Sequence, residues 1–323
     1  MRHPVRVLSV IAWAILTMAP VYAKNYPDRP VKIIVPYSAG GGTDLVARLV
    51  AEAFASAFGQ SFVVENQPGA GGTIGVANVA RAKPDGYTLG IGTAGTQVIV
   101  PNLDATLTYR PERDFETIAM INSVDLVLTA RPDLPVQSLQ ELIAYAKANP
   151  GKLSYGTPGV AGSVHLFHAY LDLLNDIEML HVPFPGEAQS ISAMLSNTVD
   201  ISLITVTSGR PYFAAGRLRP LAAGGPKRSP LLPDILTVVE LTGLDYAAYT
   251  WNVLIAPKGT PREIQQVLNE KLADAFRRPE IQKKMNQLGA GILEGSIDAA
   301  TEFVSREDAI YKKVIKATGI KRE

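Results

Sequence analysis

The chain has 323 residues, with 31 Lys and Arg against 30 Asp and Glu, 47% hydrophobic residues and no cysteine. Balanced charge gives no footprint for nucleic acid or an anionic membrane surface. The missing cysteine excludes disulfides, a lipidated N-terminal cysteine, thiolate metal sites and thiol catalysis.

The first residues read as an export signal. Arg2 and Arg6 precede an apolar run from Val7 to Met18, and Val21-Tyr22-Ala23 offers small residues where a signal peptidase cuts. The run is shorter than the roughly 20 residues a membrane anchor needs, and Pro20 interrupts its end. Residues 1–23 are therefore expected to be removed, and the mature chain from Lys24 to Glu323 to act in the periplasm. It would carry 29 basic against 30 acidic side chains, a net charge of −1. Its length allows two domains of ordinary size.

Beyond the signal, short β-branched runs alternate with amphipathic stretches. Val31 to Val35 predicts a buried strand, and Gly40 to Thr43 a turn. Leu45, Val46, Leu49, Val50, Ala53, Phe54, Ala57 and Phe58 then recur at helical spacing, and Gly59 ends the helix. A strand from Phe62 to Glu65, a helix from Ile74 to Lys83 and a strand from Thr88 to Gly92 complete a β-α-β-α-β block. That order implies a parallel sheet covered on both faces.

A second block follows. Strands are predicted at Leu126 to Ala130, Leu153 to Tyr155, Glu178 to Val182, Ile201 to Ile204 and Leu218 to Ala223. Helices are predicted from Ser138 to Ala148 and from Ser163 to Leu174. Arg228 to Leu244 reads as a Pro- and Gly-rich excursion, and Trp251 to Ala256 as a returning strand. Thr260-Pro261-Arg262-Glu263 opens a helix with Pro at its first position, and the last helices run to the end.

Two loops can carry chemistry. In Tyr37-Ser38-Ala39-Gly40-Gly41-Gly42-Thr43-Asp44, three glycines let backbone approach a ligand. Thr43 or Ser38 can cap the next helix, and its free N–H groups can hold an anion. A tight turn with nothing bound fits equally well, because Asp44 suits a helix start by itself. The loop Gly156-Thr157-Pro158-Gly159-Val160-Ala161-Gly162-Ser163 repeats the design in the second block. Two such helix ends can converge on one carboxylate, each charge-assisted bond contributing roughly 1.5–3 kcal/mol.

Other chemistry finds less support. GxxxxGK[ST] is absent, and the glycine run from Gly69 fails GxGxxG because Ile74 holds the sixth position. That run reads as a turn feeding a helix near the cleft. Neither Ser38 nor Ser163 lies in GxSxG, and no HExxH occurs. His168 reads as a buried helix histidine, whereas His165, two residues past Ser163, can face the cleft. Asp200 can orient a ligand hydroxyl or ammonium, or simply hold backbone. A hydrolase or lyase using Ser163 and His165 is the weaker alternative. No catalytic residue, metal or cofactor is expected.

These segments in order resemble the Bug receptors of tripartite tricarboxylate transporters. The resemblance is carried by Tyr26 to Tyr37 with the glycine loop after it, Val64 to Gly72, Lys83 to Leu89, Gly162-Ser163 with His165-Leu166, Val182 to Phe184, Val199-Asp200, Ala215 to Arg219 and Ala256 to Pro261. It spans essentially the whole mature chain. It implies an α/β, two-lobed periplasmic-binding-protein fold, type II-like, with the ligand between the lobes. Residues 24–124 plus 251–323 would form lobe 1, and 125–250 lobe 2.

The resemblance also implies where a ligand carboxylate rests. Tyr37, Ser38, Gly42 and Thr43 would hold it from lobe 1, and Thr157, Gly159, Ala161, Gly162, Ser163 and His165 from lobe 2. The loop from Thr93 to Thr96 and the one from Phe184 through Pro185 and Gly186 to Glu187 would flank it, and Asp200, from its own position, is a further candidate contact. Loaded receptor, expected to be a monomer, would deliver its solute to a membrane permease, or alternatively report it to a sensor. The sequence departs from the family at Phe184, often tyrosine there, at Pro185, often lysine, and over Val206 to Arg210. These departures lie on the second lobe, where the far end of the ligand would rest, and leave the carboxylate clamp intact.

Overall fold

Lys32 is the one exposed residue of β1 (Val31–Val35), whose other four side chains are buried as a strand covered on both faces requires. The structure is a computed structural model describing residues 26–321. The expected signal peptide, residues 1–23, lies outside them. β1 pairs in parallel with β2 (Phe62–Asn66) and β3 (Thr88–Thr93). Helix Gly42–Phe58 crosses from β1 to β2 and buries Val46, Val50 and Phe54 along one stripe. Gly59 stops it at φ +66, where glycine carries no Cβ penalty. Helix Thr73–Ala80 leads back to β3. A π-helical turn, Gly95–Ile99, then runs into helix Val100–Leu103.

β4 (Phe115–Ala130) organises the molecule. The sequence suggests a strand only from Leu126, but β4 begins eleven residues earlier. Its register shifts between Thr117 and Ala119 and again between Met120 and Asn122. Such irregularities break the alternation by which a strand is read. β5 (Ser154–Pro158), β6 (Leu180–Phe184), β7 (Ile201–Thr205) and β8 (Arg219–Ala223) follow in the second half. β9 (Tyr249–Pro257) and β10 (Ala290–Ile292) return to the first.

The sheet runs β2-β1-β3-β9-β4-β7-β5-β6, with β8 and β10 also on β4. β4 changes partners along its length. Phe115 to Asp125 pair antiparallel with β9, and Leu126 to Ala130 with β7. β4 thus belongs to both halves, and β9 carries the chain back.

One apolar cluster under the junction includes Leu128, Phe167, Tyr246, Trp251, Phe303 and Tyr311. Another lies under the first half, around Ile33, Val50, Phe54, Leu268 and Phe276. A fully buried phenylalanine such as Phe54 contributes about 2–3 kcal/mol. Helix Ile297–Thr318 buries Phe303 and Tyr311, and its Glu307 accepts the Tyr249 hydroxyl at 2.6 Å and the Trp251 indole N–H at 3.0 Å. These bonds fix β9 from below. Helix Arg262–Phe276 starts one residue later than its sequence suggests, with Pro261 as N-cap. Among the described residues, no helix is long and apolar enough to cross a membrane.

Candidate functional site

The carboxyl ends of β1, β3, β5, β6 and β7 all feed turns that border one cleft of about 910 Å³. This is where ligands bind in open α/β sheets. Val124 of β4 and Thr250 to Asn252 of β9 also line it, so the strands joining the two halves meet the cleft.

The first wall is the turn after β1. Helix Gly42–Phe58 has Gly41 as N-cap and no side-chain cap, so neither Ser38 nor Thr43 caps it as the sequence suggested. The first-turn N–H groups stay free of side chains. Ser38 is exposed and lies outside the cleft lining, which Tyr37, Gly40, Gly41, Gly42 and Thr43 share. The Thr43 hydroxyl reaches Asn252 Oδ1 at 3.4 Å, and Asn252 Nδ2 donates to Asn122 Oδ1 at 2.9 Å. Asp44 turns away from the cleft. Its carboxylate accepts from the Gly40 N–H at 2.8 Å, Arg48 Nε at 2.9 Å and Asn66 Nδ2 at 2.9 Å. Burial pushes the Asp44 carboxyl up, but these donors outweigh it and hold it below the usual range. Gly40 needs glycine for its φ of +84, whereas Gly42 does not. A Cβ on Gly42 would meet nothing within 4 Å, so internal packing does not demand glycine there either.

Tyr37 and Thr93 join the same wall, with hydroxyls 3.0 Å apart. Burial raises the Tyr37 phenol, so it remains a donor. Thr96 is fully buried outside the lining; its Oγ1 accepts the Thr93 N–H at 3.0 Å and steadies that residue.

The second wall is the turn after β5. Pro158, Val160, Ala161, Gly162 and Ser163 line the cleft. Helix Ser163–Asn175 has Gly162 as N-cap and again no side-chain cap. Ala161 adopts φ +56, a left-handed conformation costly for a residue with a Cβ. His165 Nδ1 accepts the Ala161 N–H at 3.0 Å, so this imidazole braces the turn and lies outside the lining. Thr157 is fully buried behind the surface, and Gly159 is half-buried outside the lining. The Thr157 hydroxyl donates to the Gly159 carbonyl at 2.6 Å, and His181 Nε2 approaches it at 2.6 Å.

The rings stack. His165 lies 3.7 Å from His181, His181 lies 5.1 Å from Tyr155, and Tyr155 lies 4.4 Å from His168. Burial, then the neighbouring His181, lowers His165 to about 4. Burial, then His181 and His165, lowers His168 to about 3. His168 is fully buried, and its Nε2 accepts the Leu203 N–H at 2.9 Å, which requires the neutral ring.

The third side comes from the turns after β6 and β7. Phe184, Pro185 and Gly186 lie outside the lining; Gly186 is the N-cap of helix Glu187–Leu195, and Glu187 and Ala188 reach the cleft. Glu187 Oε1 accepts the Thr205 N–H at 3.3 Å and its hydroxyl at 2.9 Å. Thr205 also caps helix Val206–Ala214. Thr207 Oγ1 donates to the Leu288 carbonyl at 3.1 Å, tying the two halves together at the cleft. Asp200 stands just before β7, away from the cleft. It pairs with Arg131 at 2.9 Å and accepts the Ser154 N–H at 2.8 Å, so it holds strands.

No Lys, Arg or His among the described residues lines the cleft. Among the described residues, no group of three or more His, Asp or Glu side chains is placed to hold a metal ion. Of the flanking stretch Phe184 to Glu187, it is Glu187 that reaches the cleft; sequence reasoning missed Thr205, Ser208 and Asn252 as individual lining residues. The acid directly after Gly186 was the local signal for Glu187, since it marks a helix start.

Residues 46–320 match the tripartite tricarboxylate transporter family receptor. The chain belongs to that family. Three solved structures are similar over nearly the whole chain. Rpa4515 of R. palustris, with adipate, is 33% identical and covers 92% of this chain and 99% of its own, with a TM-score of 0.81. The periplasmic binding protein BugD is 34% identical and covers 92% of this chain and 100% of its own, at 0.78. MatC of Rhodopseudomonas palustris, with bound malate, is 29% identical and covers 90% and 100%, at 0.76. The fold is thus the two-lobed α/β architecture of Bug-type periplasmic solute-binding proteins.

Proposed function

We propose that this receptor is exported to the periplasm, captures a small carboxylate in the cleft as a monomer, and delivers it to a tripartite tricarboxylate transporter permease without chemical change. Residues 24–124 plus 251–323 would form one lobe and 125–250 the other. One observation carries this reading: two long helices from opposite halves of the sheet present uncapped N-termini to one cleft. An anion there is held by backbone N–H groups and hydroxyls, with no need of a basic side chain. The open space over Gly42 leaves room for a ligand oxygen to approach the backbone. Leu45 and Val160 line the cleft yet are 38% and 58% exposed, so closure over a ligand would bury them. The solved relatives holding adipate and malate support a carboxylate as the anion.

An enzyme is disfavoured by His165. Its Nδ1 is occupied by the Ala161 N–H, so it has no free lone pair to act as base toward Ser163.

A thermal-shift screen of small carboxylic acids tests the receptor, because binding only the folded state raises its melting temperature. Gly42→Ala should leave the melting temperature of the free protein within a degree or two and weaken the best carboxylate about tenfold or more. Unchanged affinity in calorimetry would remove the first wall from the clamp.

A further inference from the structure

The cleft is electrically lopsided. Helices Gly42–Phe58 and Ser163–Asn175 offer uncapped N-termini, and the one acid in the first turn of the former, Asp44, points away and is neutralised by Arg48. Helix Glu187–Leu195 also begins at the cleft without a side-chain cap, but there the first residue is itself an acid. Among the described residues, Glu187 is the only acidic side chain in the lining, and no basic side chain lines the cleft to balance it. Its Oε1 is engaged by Thr205, and among the described residues it enters no salt bridge. A ligand carboxylate therefore has a favourable place at the first two helices and an unfavourable one at the third. A second carboxylate near Glu187 would meet a like charge in a site partly shielded from water.

We infer that Glu187 selects ligands that carry a cationic nitrogen as well as a carboxylate, the ammonium of an amino acid binding at Glu187 while the carboxylate rests on the other two helix ends. This rests on the carboxylate-receptor reading above and narrows it. Oε2 would accept the ammonium while Oε1 keeps its bonds to Thr205. A charge-assisted hydrogen bond of that kind favours the amino acid by roughly tenfold or more over a ligand lacking it.

Calorimetric titration of matched sets tests this: butyrate, succinate and γ-aminobutyrate, then caproate, adipate and ε-aminocaproate, with glycine, alanine and leucine for an adjacent ammonium. The unmodified receptor should bind amino acids more tightly than the dicarboxylate and the simple acid. Glu187→Gln keeps an oxygen for Thr205 and should leave the melting temperature in place. It should nevertheless erase the amino-acid preference and improve dicarboxylate binding. A dicarboxylate or simple acid binding best to the unmodified receptor overturns the inference and leaves the receptor reading standing. A preference that survives Glu187→Gln also overturns it. If no carboxylate of any class binds, the receptor reading itself fails and the inference with it.

Discussion

The two glycine turns that wall the cleft share a plan and differ in what holds them. Each follows a parallel strand, opens a helix with a glycine N-cap and leaves the first turn without a side-chain cap. The turn after β1 is locked by Asp44, an ionised acid gripping Gly40, Arg48 and Asn66. The turn after β5 is braced by His165, a neutral imidazole gripping Ala161 and stacked on His181. An anion site can thus stand on a charged support or an uncharged one, provided that the support turns away from the anion. The two supports differ in their response to protons.

The largest expected effect is on the histidine side. An unfolded imidazole takes its proton near pH 6.5. The folded His165 and His168 resist until about 4 and about 3. Below pH 6.5 the unfolded chain binds more protons, so stability falls with acidification down to those values. Asp172, on the same helix as both histidines, opposes this. Burial pushes its carboxyl up to about 7, so the folded chain keeps a proton that the unfolded chain releases above the ordinary carboxylate range. Its contribution improves as the pH drops from 7. The unmodified receptor should therefore lose stability between pH 7 and pH 5, but less than the histidines alone would cost. Asp172→Asn removes the opposing term, and that variant should lose about 2–3 kcal/mol over the same interval in urea titrations, the half-buried His165 counting for less because solvent screens it. A flat profile in Asp172→Asn would mean that the second turn does not depend on neutral histidines.

The acid-locked wall should respond less and at one residue. Asp44→Ala leaves the Gly40 N–H without its acceptor and Asn66 Nδ2 with only the Tyr37 carbonyl, while Arg48, half exposed, returns to water. We expect a loss of about 2 kcal/mol at pH 7 and at least tenfold weaker carboxylate binding as the turn loosens. Because the Asp44 carboxyl is held below its usual range, its contribution is fully present above about pH 4 and disappears below. The Asp44→Ala penalty should thus be the same at pH 5 and pH 8. A penalty that changes between them would erase the distinction between the two walls.

Much of this contrast was legible beforehand. β1, Gly59 and the helix between them follow from a β-branched apolar run, helical spacing and a glycine stop, which depend on local chemistry alone. Pairing the two glycine turns pointed to one cleft, and Gly42 and Ser163 both line it. It could not say which atoms of a turn face inward, so Ser38 and Thr157 were grouped with Gly42 and Ser163, although one is exposed and the other lies behind the surface. His165 was expected to face the cleft by its spacing from Ser163; a bond to Ala161, closed only by the left-handed turn, draws it back. Helix Val206–Ala214 contains Gly209 and Pro211, both helix breakers, and forms because Thr205 caps it. The lining residues Thr205 and Ser208 went unread for that reason.

Ala161 carries the smallest and sharpest difference. On the first wall the left-handed position belongs to Gly40, which adopts φ +84 without a Cβ penalty; on the second it belongs to an alanine at φ +56. The alanine conformation costs roughly 1 kcal/mol, offset by the His165 bond. Ala161→Gly removes that strain but also loosens the unfolded chain by a few tenths of a kcal/mol or more. The variant should therefore be unchanged or up to about 1 kcal/mol more stable at pH 7. A loss of more than about 1 kcal/mol would show that the alanine Cβ, and not the imidazole, holds the turn. Combined with His165→Leu, the outcomes separate further. If the imidazole mainly counters strain, the double variant should recover part of the stability that His165→Leu loses alone. If instead it mainly satisfies a buried N–H, the effects of the two substitutions should simply add.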